Sequence, residues 1–266
     1  MVPGNILFYC FSNKLVAVYG QHTSQLEGDC IVLTTHQLFR YEKYFDLLVM
    51  DEIDAFPFKG SEILDAFFKR SLRGRIVMMS ATPSKQILKE FSKDGKEVLT
   101  LYTRFHKHPI PVPKIVLKSS LFAKKFLIDK IKEYKRKNKP VLVFVPTVEL
   151  AESLFGFLSI FIKGGNYVSS KRENRSEIID DFKHQKFSYL VTTAVLERGV
   201  TIRDVQVIIF KADDTRIYDQ ASLVQISGRA GRKSDAPEGE VIFLAQKASK
   251  PMQNAIKEIQ KCNEHL

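Results

Sequence analysis

Short runs of Val, Ile, Leu and Phe alternate with stretches of helical periodicity along this chain, and that alternation restricts the fold more than any other feature. Strands covered on both faces read as continuous apolar runs, and parallel neighbours must be joined by a long crossover, usually a helix. The pattern therefore predicts an α/β protein built from βαβ units around parallel sheets. Two sets of units are visible. In the first, strands are expected at Leu15 to Tyr19, Cys30 to Leu33, Phe45 to Met50 and Arg75 to Met79, with helices near His36 to Tyr41 and Glu62 to Arg70. In the second, strands are expected at Val141 to Val145, Tyr189 to Thr192, Gln206 to Phe210 and Val241 to Leu244. Its helices fall near Ala123 to Lys137, Val148 to Leu158, Glu173 to His184, Tyr218 to Ser227 and Pro251 to Cys262.

Between the sets, Pro109, Pro111 and Pro113 occupy alternate positions, which forbids helix and favours an extended connector. The expected division is a partial first domain at 1–107, a linker at 108–114 and a second domain at 115–266.

With 266 residues, 44% of them hydrophobic and 27% charged, each set can bury a core of its own. The formal net charge of +11 favours a polyanionic partner, nucleic acid or an anionic membrane surface. No apolar run reaches the roughly 18 residues that cross a bilayer, and the start lacks the pattern of a secretion signal. Cys10, Cys30 and Cys262 are odd in number and widely spaced, which argues against a disulfide framework or a CxxC metal site and for a reducing cytoplasm.

The chemistry-bearing residues cluster where strands should end. Asp51-Glu52-Ile53-Asp54 follows the run Phe45 to Met50, and ligands of open α/β sheets bind beyond the carboxyl ends of such strands. There Asp51 can hold Mg²⁺ through its water shell while Glu52 orients or deprotonates an attacking water; the alternative is a helix N-terminus favouring negative charge. About thirty residues on, Ser80-Ala81-Thr82 ends the run from Arg75, and its hydroxyls can reach the carboxylates or a water between them. That contact would couple the acidic pair to movement of a neighbouring domain, and a plain Ser/Thr N-cap is the alternative. In the second set, Gln225-Ile226-Ser227-Gly228-Arg229-Ala230-Gly231-Arg232 places Arg229 and Arg232 three residues apart, on one face if the segment is helical. Two guanidinium forks so placed suit a triphosphate, while Gly228 and Gly231 keep the surface between them low; a surface basic patch of an RNA- or DNA-binding protein is the alternative.

Taken in order, these motifs resemble a superfamily 2 helicase-type motor with two RecA-like domains. The wording Thr34-Thr35-His36-Gln37, Asp51-Glu52-Ile53-Asp54-Ala55-Phe56-Pro57-Phe58, Ser80-Ala81-Thr82-Pro83, Leu196-Glu197-Arg198-Gly199-Val200-Thr201 and Gln225 to Arg232 is similar to the late-competence DNA-uptake ATPases, the ComFA family. The resemblance implies an ATP- and Mg²⁺-dependent motor on single-stranded DNA. It would work in the cytoplasm at the inner face of the membrane, beside a DNA-uptake channel and other competence proteins, and it allows for an oligomer. It further implies that Gln225, Arg229 and Arg232 face the nucleotide, with the arginines as fingers on the γ-phosphate, and that Glu197, Arg198 and Gly199 belong to the nucleotide site. For DNA, Thr34, Thr35, His36, Thr147, Thr192 and Thr193 stand at strand ends, where hydroxyls and amides can hold phosphates without reading sequence; a strand-end cap is the alternative for each threonine, and filling a helix start for His36. The run Lys132 to Lys139 reads as a solvated helix end.

The chain departs from the family in two respects. Relatives carry a Gly-rich phosphate loop ahead of the acidic cluster and commonly an N-terminal cysteine cluster suited to zinc. Here Gly95-Lys96 is the one Gly-Lys pair, is followed by Glu97, and has Glu90 where the loop's first glycine would stand. The first domain is thus expected to be truncated, and the polypeptide alone to bind ATP weakly and hydrolyse it little. Competing with the motor are a non-catalytic DNA-binding or partner-docking module and a replication-restart type of helicase.

Overall fold

In the computed structural model the described residues are 15–18 (backbone course only), 26–53, 61–81, 83, 88–89, 92, 97–104, 106–193 and 201–266. The chain divides into two compact units, Met1–Leu99 and Thr100–Leu266. The prolines at 109, 111 and 113 thus belong to the second unit.

In the first unit the described strands form two parallel pairs. β1 (Leu15–Val18) runs beside β2 (Cys30–Leu33), and β3 (Phe45–Met50) beside β4 (Leu72–Met78). A 3-10 helix, Thr35–Arg40, follows β2, and α1 (Glu62–Ser71) joins β3 to β4. The Ser61 hydroxyl caps α1 by accepting from the Leu64 amide at 3.3 Å. Leu64 and Phe68, four apart, are buried, and Phe68 joins Leu38, Leu48, Met50 and Ile53 in a small core.

The second unit is a six-stranded, wholly parallel sheet in the order β5-β10-β9-β6-β8-β7. Its strands are β5 (Lys114–Leu117), β6 (Val141–Val145), β7 (Gly165–Val168), β8 (Tyr189–Thr193), β9 (Gln206–Phe210) and β10 (Val241–Ala245). Alternation along β6 shows how helices cover both faces. Val141, Val143 and Val145 point to the side covered by α2 (Ser120–Arg136) and α3 (Val148–Phe161). Leu142 and Phe144 point to the side covered by α4 (Arg175–Lys183), α5 (Gln220–Ser227) and α6 (Lys250–Asn263). Helix periodicity agrees: Ala123, Leu127, Ile131 and Tyr134 line one stripe of α2, and Met252, Ala255 and Ile259 one stripe of α6. Each fully buried aliphatic side chain contributes roughly 2 kcal/mol of transfer free energy.

The expected fold is the one found, and most elements lie within a few residues of their predicted bounds. Two strands were not predicted. β5 is an edge strand of four residues with exposed ends, and β7, Gly-Asn-Tyr-Val, carries too few apolar side chains to stand out. Gly165 is required in β7, because a Cβ there would lie 2.0 Å from the Tyr189 ring on the neighbouring strand.

Candidate functional site

In the first unit the backbone brings the two acidic and hydroxyl motifs together. The Met79 amide donates to the Met50 carbonyl at 2.8 Å, and the Ile53 amide donates to the Met79 carbonyl at 3.2 Å. The turn carrying Asp51 and Glu52 is thereby stitched beside Ser80 and Ala81 at the carboxyl ends of β3 and β4. Asp51 is exposed and Glu52 half-buried. Glu52 holds φ at 54°, a left-handed conformation that costs a non-glycine residue about 1–2 kcal/mol. Strain of this kind concentrates at functional turns, where the surrounding structure enforces it. Thr82 and Asp54 lie outside the described residues, as do Glu197, Arg198 and Gly199.

Among the described residues no group of three His, Cys, Asp or Glu could cage a metal ion. One exposed carboxylate with a second beside it suits Mg²⁺, which keeps most of its waters and takes one or two carboxylates plus substrate phosphates. Asp51, with Glu52, would hold it, and the ion would supply charge neutralisation at the phosphates.

The threonines differ in what their hydroxyls do. Thr34 stands at the N-cap of the 3-10 helix but makes no side-chain cap, and it is exposed with His36 beside it, while Thr35 is half-buried. Thr147, past the end of β6, is exposed and does cap α3, accepting from the Leu150 amide at 3.2 Å, and its hydroxyl also bonds the Glu149 carboxylate. Thr192 is 1% exposed and donates to the Thr193 carbonyl at 3.2 Å; Thr193 is buried as well. At the end of β8 the side chain of Thr192 is therefore occupied within the fold.

The arginine segment does not continue the helix. α5 ends at Ser227 with Gly228 as its C-cap, and Gly231 turns the chain with φ 59°. Arg229 and Arg232 thus sit on a turn beyond the helix and do not share a helical face. Arg229 lies 6.0 Å from the centroid of the Phe144 ring, Arg232 is exposed, and Gln225 is half-buried on α5. The turn is tightly seated: a Cβ at Gly231 would stand 2.0 Å from the Pro237 carbonyl oxygen, and one at Gly239 would stand 3.0 Å from the Ala230 Cβ. Gly239 also lies against the Val205 carbonyl, just before β9 begins. The backbone of the turn therefore approaches the amino end of β9, while the Arg229 guanidinium reaches the Phe144 ring near the carboxyl end of β6, the end at which Thr147 stands.

Sequence reasoning missed Arg104. Its guanidinium donates through Nη1 to the Ala230 and Gly231 carbonyls at 3.0 and 2.6 Å, and through Nη2 to the Gly228 carbonyl at 2.9 Å. Burial, and then the nearby Arg232, lower its pKa from the ordinary arginine value. A lone arginine in a connector carries no pattern that would have revealed this.

The lysine run behaves as expected of a helix end. Lys137 bonds Glu133 at 2.7 Å, Lys135 caps the Lys163 carbonyl at 2.5 Å, and Lys139 pairs with Asp204 at 3.2 Å.

Residues 123–234 match the family model of the helicase conserved C-terminal domain. The chain is 32% identical over 264 residues to "Competence protein ComFA" of Streptococcus pneumoniae, covering 95% of this chain and 61% of that protein. It is 30% identical over 245 residues to "Competence protein ComFA" of Bacillus subtilis, covering 88% of this chain and 52% of that protein. The chain so spans between half and two-thirds of these relatives' lengths. Among solved structures it is similar to "S. cerevisiae Dbp5 bound to RNA and ADP BeF3", 21% identical, with TM-score 0.67 over 96% of this chain and 68% of that one. A likeness at that identity speaks for the fold, and it is the RecA-like helicase fold that the motif order led us to expect. With ComFA relatives at 30–32% identity along most of its length and a helicase C-terminal domain in its second unit, the chain belongs to the ComFA-like superfamily 2 helicases.

Proposed function

We propose that the chain is the motor portion of a competence-associated, ATP-dependent single-stranded DNA translocase. The observation that carries this is the stitching of Asp51 and Glu52 to Ser80 by the Met79–Met50 and Ile53–Met79 hydrogen bonds. It sets a carboxylate suited to positioning water beside the strand end that carries the Ser80 hydroxyl. In this reading Asp51 takes Mg²⁺ through water, Glu52 orients the attacking water, and Arg229 and Arg232 neutralise charge developing on the γ-phosphate. Glu197, Arg198 and Gly199 contribute to the nucleotide site. Ser80, Ala81 and Thr82 relay the state of the phosphates to Thr34, Thr35, His36, Thr147 and Thr193, which hold DNA phosphates with the Thr192–Thr193 backbone. The net charge of +11 supplies a salt-dependent attraction to any strand. Among the described residues no helix is long and apolar enough to cross a membrane, and we place the chain in the cytoplasm, contacting an uptake channel and other competence proteins at the inner face.

The test is single-stranded oligonucleotide binding by anisotropy, across a salt series, with and without MgATP. The motor reading expects MgATP to change DNA affinity, and Glu52→Gln or Arg229→Ala to erase that change while leaving affinity without nucleotide intact. Tight DNA binding indifferent to MgATP would instead favour a non-catalytic DNA-binding module.

A further inference from the structure

The connector that opens the second unit is bound along its length. Tyr102 stacks on His265 with ring centroids 4.1 Å apart and planes 19° from parallel. The Ile110 amide donates to Asn263 Oδ1 at 2.8 Å, and Asn263 Nδ2 donates back to the Ile110 carbonyl at 2.9 Å. Pro111 Cγ stands 3.4 Å from where a Cβ on Gly231 would be. Between these anchors Arg104 spans three carbonyls of the turn that presents Arg229 and Arg232.

A guanidinium at a helix C-terminus is favoured by the backbone dipole and satisfies carbonyls the helix leaves open. Two details go beyond a cap. Three carbonyls from one turn converge on one planar fork, which fixes the turn's orientation as well as its end; an ammonium, a single point of charge, could not do this. Moreover, among the described residues neither Arg104 nor Arg232 has a carboxylate partner. Arg104 is held by carbonyl dipoles, with the exposed Arg232 near enough to repel it, so the positive charge of the pair stays available to an anion.

We propose that Arg104 is a positioning residue for Arg229 and Arg232: the connector grips the turn through it, so that the segment joining the two units sets where the two arginines point. This rests on the reading of those arginines as phosphate ligands. Whatever moves the connector then moves the turn. Loss of the fork should loosen the turn without unfolding the sheet beneath it.

The experiment uses the 266-residue chain with ¹⁵N-labelled arginine, following the Arg229 and Arg232 Nε–H resonances as MgATP is added, together with amide exchange over 229–233. Wild type should show both resonances shifting in a saturable way. Arg104→Met should raise the MgATP concentration needed about tenfold and speed exchange at 229–233, with the amides of β6, β8 and β9 still protected. Arg104→Lys, which keeps the charge but not the fork, should behave like Arg104→Met, and it replaces that variant if Met prevents folding. Unchanged titrations in both variants, against a responsive wild type, would overturn the role of Arg104 and leave the arginine reading standing. Because weak nucleotide binding is expected of these residues alone, the titration is carried to MgATP in large excess, and wild-type resonances that ignore it even there would overturn the arginine reading, and this proposal with it.

Discussion

Gly231→Ala tests the geometry of the arginine turn most directly. Two costs add at this position. The residue sits at φ 59°, where an alanine pays about 1–2 kcal/mol for its Cβ. The same Cβ would lie 2.0 Å from the Pro237 carbonyl oxygen and 2.9 Å from its carbon, and both are backbone atoms that cannot swing aside as a side chain could. Restoring an ordinary contact of 3.4 Å means opening the turn by 3.4 − 2.0 = 1.4 Å. Moving the Gly231 side of the turn by that amount would stretch the 2.6 Å bond from Arg104 beyond hydrogen-bonding range. Either the overpacking is retained, at about 1–3 kcal/mol, or a charge-assisted hydrogen bond worth about 1.5–3 kcal/mol is given up. The expected loss is therefore about 2–5 kcal/mol from the second unit. Urea unfolding followed by circular dichroism measures it, with Gly156→Ala as control: Gly156 lies inside α3 with nothing within 4 Å of its Cβ direction, so alanine there should stabilise by about 0.5–1 kcal/mol. A Gly231→Ala chain within about 0.5 kcal/mol of wild type would refute the seating of the turn against Pro237.

Three other outcomes are expected. Glu52→Gly and Glu52→Ala remove the same side-chain groups, but only glycine relieves the left-handed strain, so the glycine variant should be about 1 kcal/mol the more stable in thermal melts, and both should remove any MgATP dependence of DNA binding; equal stability would mean that the φ of 54° is not strained. Gly165→Ala should cost about 1–3 kcal/mol in urea titrations, since the Tyr189 ring, fully buried, cannot move away from the new methyl; a neutral result would contradict the strand register of β7 on β8. Hydrogen bonds from Lys137 and then Lys130 hold the Glu133 carboxyl down at about 2, below its ordinary 4.5. Because the folded value is the lower one, its stabilising effect is present above pH 4.5 and fades as pH falls toward 2. Melting curves of Glu133→Gln over that window should show a slightly flatter acid limb, the effect being small because the pair is largely solvated; an unchanged slope would mean that the lysines do not hold the carboxylate.

Much of this was legible in residue order alone, and the failures have physical causes. Continuous apolar runs such as Val141 to Val145 announce strands covered on both faces, because they are too short for a buried helix and rich in β-branched side chains. β5 and β7 went unread because edge strands are partly solvated and need few apolar residues. In the candidate site, the neighbourhood of Asp51 and Ser80 followed from both ending parallel strands. The state of each threonine did not follow: Thr147 is exposed and caps a helix, whereas Thr192 is buried and bonded to Thr193, and only packing separates them. Helical spacing also suggested a shared face for Arg229 and Arg232, whereas α5 ends at Ser227 and both lie on the turn beyond it.

By itself, the sequence determined the α/β class, the parallel sheets and the order of the helicase motifs, since these depend on periodicity and on which residue types end each strand. Tertiary structure alone decided that the connector belongs to the second unit and that Arg104 holds the arginine turn. The physical reason is range: periodicity reports contacts a few residues apart, whereas Arg104 and the Gly231 carbonyl are 127 positions apart and meet only once the sheet has folded.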